Sequence, residues 1–363
     1  MYSRILTELT LSFHIIYATL GVGVPLMIMI AQWVGIKKND EHYILLARRW
    51  TRGFVITVAV GVVTGTAIGL QLSLLWPDFM ELAGNVIALP LFMETFAFFL
   101  EAIFLGIYLY TWDRFEHPRK HLFLLVPVAI GASFSAVFNT MVNAFMNAPQ
   151  GFDLVNGELV NVNPLTAMFN PAMPTKVSHV VVTAFMTAAF VLASIAAFRL
   201  VRGSNHVYHK KSLFLTMKLG LIFSIATLVI GDFSGKYLAE YQPEKLAAAE
   251  WHFETAGEAP LLMYGLLEDG DVKYAIKIPY ALSILAHGDP AAVVIGLDQF
   301  EEDELPPLYI HYLFDIMVTI GMWMILLSFV YWIGTKFRWS IAGTKRFLWL
   351  IVLGGPLSII AIQ

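Results

Sequence analysis

The stretch "LPLFMETFAFFLEAIFLG", residues 89–106, is apolar along its whole length except for Thr95 and two glutamates, Glu94 and Glu101. Eighteen such residues in a row read as the body of a transmembrane helix. An ionised carboxylate near the bilayer centre costs roughly 2.5–3.5 kcal/mol even on a lenient insertion scale, so two of them need a reason. Seven residues of helix turn through about 700°, which places both acids on one face about 10 Å apart along the axis. Two acids in file suit a proton relay. The plainer reading is that each hydrogen-bonds to a neighbouring helix.

The rest of the chain repeats the apolar pattern. Of its 363 residues, 58% are hydrophobic and 14% charged, against about 25% charged in an ordinary soluble domain. Eight spans are predicted, at about 11–36, 53–76, 87–112, 122–146, 177–200, 212–238, 307–333 and 346–363. The fold class is therefore all-α, a polytopic membrane helix bundle. Three regions follow: 1–238 with helices one to six, a loop at 239–306, and 307–363 with helices seven and eight. The first run is too long for a signal peptide and no small-residue cleavage site follows it. There is no cysteine, which excludes disulfides, iron–sulfur clusters, thiolate-bound metals and c-type haem attachment.

Sixteen of the twenty-three Lys and Arg residues fall in the odd-numbered loops, for example Lys37, Lys38, Arg48, Arg49 and Arg52 in the first. By the positive-inside bias these loops are cytoplasmic and the N-terminus lies outside. Span three then runs inward, with Glu94 in its outer half and Glu101 deeper. Residues 239–306 form the one long extramembrane loop. It is acidic, ends in "FEEDELPP", and is either functional or a solvated outer flap.

Of ten histidines, only His14, His179 and His311 lie in or at the edge of spans; His42, His121, His209 and His252 are among those read as loop residues. His14 and His179 sit at similar depth near the outer face, which in a cysteine-free chain favours haem iron over two unrelated core histidines. Met317, in "FDIMVTIG", is a candidate axial thioether, although most of the fifteen methionines pack as core filler. His311, in "LYIHYLFDIM", is a rival ligand that spacing alone does not dismiss. Asp315 is a further carboxylate within a span. Trp76, Trp112, Trp332 and Trp339 lie near the water boundaries and read as belt residues.

Several stretches carry a family resemblance across essentially the whole chain. They are "SFHIIYATLGVGVP", "RGFVITVAVGVVTGTAIGLQ", "LFMETFAFFLEAIFLG", "SFSAVFNTMVNAFMNAP", "FNPAMPTKVSHV", "GDFSGKYLAEYQPEKLAAAEWHFET" and "KIPYALSILA". In these the chain resembles subunit I of the cytochrome bd family of quinol oxidases. The resemblance implies that His179 and Met317 are the axial ligands of a low-spin haem b. His14 matches an axial ligand within the oxygen-reducing haem pair. Glu94, Glu101, Ser135 and Asn143 match positions on the proton path from the cytoplasm. The long loop resembles a short quinol-binding Q-loop, with Lys245 and Glu250 at its quinol positions.

The implied cofactors are two haem b and one haem d, or a third haem b. The implied partners are a second membrane subunit (subunit II), a small single-helix accessory subunit, menaquinol or ubiquinol, and oxygen, with no nucleic acid. The setting is a prokaryotic plasma membrane. Two departures stand out. The family's third protein haem ligand, a glutamate ahead of a Gly-Arg-Gln-Pro-Trp motif, has no counterpart, so a ninth helix is expected beyond Gln363. Asp315 stands where some members carry arginine, which should lower the potential of the neighbouring haem. From the residues alone, a proton-coupled secondary transporter, a cytochrome b module that does not reduce oxygen, and a purely structural subunit are the alternatives.

Overall fold

The computed structural model describes residues 2–268, 271–301, 303 and 305–363. Of the acidic "FEEDELPP" stretch, Glu302 and Glu304 lie outside the described residues. The long helices are α1 (Tyr2–Lys38), α2 (Glu41–Leu75) and α3 (Pro77–Tyr110), then α4 (Pro118–Phe123) running on into α5 (Leu125–Asn147). A hairpin of β1 (Asp153–Val155) and β2 (Glu158–Val160) and a short α6 (Pro164–Met168) lead to α7 (Met173–Val201) and α8 (Val207–Tyr241).

Among the described residues, seven helical stretches are long and apolar enough to cross a membrane, Pro118–Asn147 counting as one. The eighth predicted span is likewise a helix, Lys345–Ala361, of 17 residues, at the short end of the range of about 17–25 that crosses a bilayer.

Several helices outrun their predicted spans because hydropathy marks only the part in lipid, whereas backbone hydrogen bonding continues into water. Thus α2 starts twelve residues before the predicted 53, where Asp40 caps it by accepting from the His42 backbone N–H at 3.1 Å. Asp40 also pairs with Lys211. His42 and Arg48 therefore ride on a helix rather than in a loop.

Residue contacts divide the chain into two units. The first comprises residues up to Ala226 together with Met324–Gln363; the second is Thr227–Trp323. Lipid tails are as apolar as leucine, so helices in a membrane associate through close packing and small residues. In the first unit, a Cβ on Gly23 of α1 would meet the Ala184 carbonyl oxygen of α7 at 2.4 Å. A Cβ on Gly131 of α5 would stand 2.6 Å from the Ala97 carbonyl and 2.8 Å from the Glu101 nitrogen on α3. The close α3–α5 approach thus falls beside Glu101 itself. Gly131→Leu should force these helices apart and lower the thermal midpoint of the purified protein by several degrees, in line with overpacking costs of about 1–3 kcal/mol. A midpoint equal to the parent's would show that the helices are not pressed together there.

His121, read from sequence as a loop residue, is buried on α4. Its Nε2 lies 2.9 Å from the Tyr108 carbonyl oxygen and its Nδ1 3.1 Å from Gln32 Nε2, while the Tyr108 hydroxyl donates to Gln32 Oε1 at 2.8 Å. This network ties α1, α3 and α4 together, and every polar group in it has a partner.

The second unit holds the loop at 239–306, and its described residues are folded. α9 (Pro243–Glu250) is followed by β3 (Ala256–Gly257), β4 (Leu261–Met263), β5 (Leu266–Glu268), β6 (Asp271–Lys273), β7 (Ile276–Ile278), α10 (Ala281–His287) and β8 (Val293–Val294). The strands pair antiparallel as β3 with β8, β4 with β7 and β5 with β6, a nested set of two-stranded ladders. Leu246, Ala259, Leu282, Ala286 and Val294 form a buried apolar core beneath them. Ser283 fastens it, donating to the Ala292 carbonyl and accepting from the Ala259 N–H, each at 2.8 Å. A solvated flap has no such interior. The chain continues through α11 (Ile310–Lys336) to α12 (Lys345–Ala361).

Candidate functional site

The α3 carboxylates stand in the first unit. Glu94 is half-buried and accepts a hydrogen bond from the Ser135 hydroxyl of α5 at 2.7 Å; Glu101, two turns further in, is 6% exposed. Asn143 does not join this pair. It is exposed eight residues beyond Ser135, towards the outer end of α5, and its Oδ1 is 3.5 Å from Lys176 Nζ.

His14 is held by Thr64. The Thr64 hydroxyl lies 2.8 Å from the Val60 carbonyl, to which it donates, and 2.9 Å from His14 Nδ1, from which it accepts. With the Thr64 proton directed at Val60, a proton on Nδ1 would leave Nε2 the lone pair with which imidazole binds a metal. A Cβ on Gly65 would come within 3.2 Å of His14 Cε1, so glycine keeps room beside the ring. His179 lies in the second turn of α7, and its Nδ1 is buried with no hydrogen-bond partner. An orphaned imidazole nitrogen is unfavourable in an apolar core unless a bound group holds the ring. Met317 is half-buried in the second turn of α11 and belongs to the second unit, whereas His179 belongs to the first. The donor set, two imidazoles and a thioether with no cysteine, fits haem iron.

His311, the rival ligand, is engaged on both sides. Its Nδ1 is 2.7 Å from the Ala249 carbonyl oxygen, and its Nε2 is 3.2 Å from the Tyr264 carbonyl and 3.3 Å from Asp315 Oδ2. Neither nitrogen is free for a metal.

Lys245 and Glu250 share α9, but five residues turn a helix through about 500°, so they point roughly 140° apart. Lys245 is half-buried. Glu250 is 1% exposed, and its Oε1 has no hydrogen-bond partner. Burial first, and then the negative charge of Asp315, push its carboxyl up to about 8. A carboxyl so placed exchanges protons near neutral pH. Asp315 is itself 3% exposed and accepts from the Tyr264 backbone N–H. Trp251 and Tyr264 were not singled out in the sequence. Both are non-glycine residues with positive φ, 48° and 57°, a backbone property with no signature in residue type.

The sequence model of the family described as "Cytochrome bd terminal oxidase subunit I" matches residues 2–363. The chain is 44% identical over 370 residues to a Bacillus subtilis (strain 168) protein named "Putative cytochrome bd menaquinol oxidase subunit I", covering 99% of this chain and 83% of that one. It is 32% identical over 340 residues to the "Cytochrome bd ubiquinol oxidase subunit 1" of the same organism, covering 89% and 72%. A solved structure titled "The structure of bd oxidase from Geobacillus thermodenitrificans" superimposes with a TM-score of 0.96 at 73% identity, covering 99% of this chain and 84% of that chain.

Proposed function

This chain belongs to the cytochrome bd terminal oxidase subunit I family, and on that premise we propose that it oxidises a membrane quinol at its outer loop and admits cytoplasmic protons to the site of oxygen reduction through α3. It is a multi-pass plasma-membrane subunit of a haem-containing terminal quinol oxidase, and the family implies a subunit II beside it. The reading takes the quinol to be menaquinol, the substrate in the name of the 44% identical relative. The accessory subunit and the full haem set, two haem b with one haem d or a third haem b, are part of the proposal.

When bound, haem supplies the electron relay and the oxygen-binding iron. His179 and Met317 would hold the low-spin haem b, and His14, with its ring turned by Thr64, one haem of the oxygen-reducing pair. Glu250 takes a proton from the quinol hydroxyl and releases it outward, while Lys245 helps hold the quinol oxygen. On the other side, Glu101 and the Ser135-bonded Glu94 hand protons inward along one helix face. Protons thus leave at one surface and are consumed from the other, which separates charge without a pumping element.

The observation that carries this reading is the pair of carboxyls on one stripe of α3, one almost fully buried and one hydrogen-bonded to a serine. Lipid tolerates such groups where protons must pass. Glu101→Gln keeps the shape and removes the exchangeable proton. It should slow quinol-driven oxygen uptake about a hundredfold, the low end of the usual range for losing a proton-transfer group, with the haem spectrum unchanged. Parent-rate oxygen uptake in that variant would remove α3 from the proton route.

A further inference from the structure

Glu250 is the last residue of α9, and Trp251, which follows it, has a left-handed backbone with φ 48°. A bulky side chain is rare in that region and stays there only where its surroundings over-determine it. The surroundings are specific. The indole Nε1 donates to the Leu308 carbonyl at 2.9 Å. The indole ring stacks on His311, centroids 4.1 Å apart and planes 19° apart, and meets Tyr312 edge-on at 5.0 Å. His311 is fully buried, and its Nδ1 reaches the carbonyl of Ala249 at 2.7 Å. One imidazole therefore grips the residue before Glu250 by a hydrogen bond and the residue after it by stacking.

We propose that His311 is a positioning residue for quinol oxidation, bracketing Glu250 through Ala249 and Trp251 and so fixing where the carboxyl stands. His311 lies one helical turn from Asp315, whose Oδ2 is 3.3 Å from its Nε2, and Asp315 in turn accepts from the Tyr264 N–H. Tyr264 also bonds Thr319 through its hydroxyl, and the Tyr312 hydroxyl donates to the Gly265 carbonyl at 2.9 Å. The start of α11 is thus the jig against which residues 249–265 are held. The inference rests on the reading that Glu250 accepts the quinol proton.

The test is made on the assembled oxidase with a short-chain naphthoquinol. His311→Phe keeps a ring against Trp251 and loses both nitrogens. A misplaced proton acceptor removes an interaction made in the transition state, so kcat per haem should fall about tenfold or more with KM within about threefold. His311→Gln restores one N–H and should recover part of the rate, a rescue that general loosening of the loop would not produce. Should His311→Phe fail to assemble, Trp251→Gly replaces it, because glycine adopts the left-handed turn freely while losing the stack. It too should lower kcat about tenfold while a one-electron donor that carries no proton is oxidised at the parent rate. Parent quinol kinetics in whichever of the two variants assembles with haem overturns the proposal. Parent kinetics in Glu250→Gln would instead overturn the underlying reading of Glu250, so the two failures are distinguishable.

Discussion

His179→Ala, and separately Met317→Leu, should abolish most of the low-spin haem signal in the reduced-minus-oxidised spectrum while leaving an oxygen-binding haem in place. The expected loss is large because a low-spin centre needs both axial ligands, and neither alanine nor leucine offers a donor. His179 has a buried Nδ1 without a hydrogen-bond partner, so no structural bond explains its imidazole. Met317 is one of fifteen methionines and is told apart by the family match alone. The two substitutions differ in what they leave behind. Met317→Leu keeps the volume and the histidine, so a five-coordinate, carbon monoxide-binding haem is the expected remnant. His179→Ala removes the stronger ligand and should empty the site. His14, held through Thr64 on a different pair of helices, should keep its haem in both variants. Two unchanged haem classes in either variant would remove that residue from the ligand set.

The second large effect concerns pH. Quinol turnover should rise with pH up to about 8 and then level off, and Glu250→Gln should lower it about a hundredfold and flatten the profile, the scale expected for a general base. The sign follows from the cause. Burial, and after it the charge of Asp315, disfavour the ionised form of Glu250, so its carboxyl loses its proton only near pH 8. Only the carboxylate accepts a proton from quinol, so turnover falls about tenfold for each pH unit well below that point. The same burial makes the carboxylate a stronger base once formed. The charged and titratable groups to be tested beside it are Asp315 and His311 on α11 and Lys245 on α9 itself. A pH profile unchanged in Glu250→Gln would assign the proton step to one of these.

The membrane bundle was legible in residues 89–106 and their equivalents, because lipid leaves a spanning backbone little choice but to satisfy its hydrogen bonds within a helix. The basic loops were equally legible, and so was the placing of two carboxyls at a spacing of seven on one helix. The helix ends were not: α2 continues to Glu41 because helix formation does not stop where lipid does. His121 was read as a loop residue, and His311 stayed open as a rival ligand, for a related reason. Residue type announces a histidine, but only packing shows that His121 bonds Tyr108 and Gln32, or that both nitrogens of His311 face oxygen acceptors.

Composition, periodicity and charge bias by themselves determined that this chain is a multi-spanning helical membrane protein with acids in file on one helix and candidate haem ligands near its outer face. Those are properties of short stretches, each set by one local rule of lipid or of helix geometry. Tertiary structure alone decided that residues 239–306 enclose an apolar core, that Ser135 and not Asn143 meets Glu94, and that His311 brackets Glu250. Such facts depend on which distant residues are pressed together and on backbone angles such as that of Trp251. No local pattern encodes either.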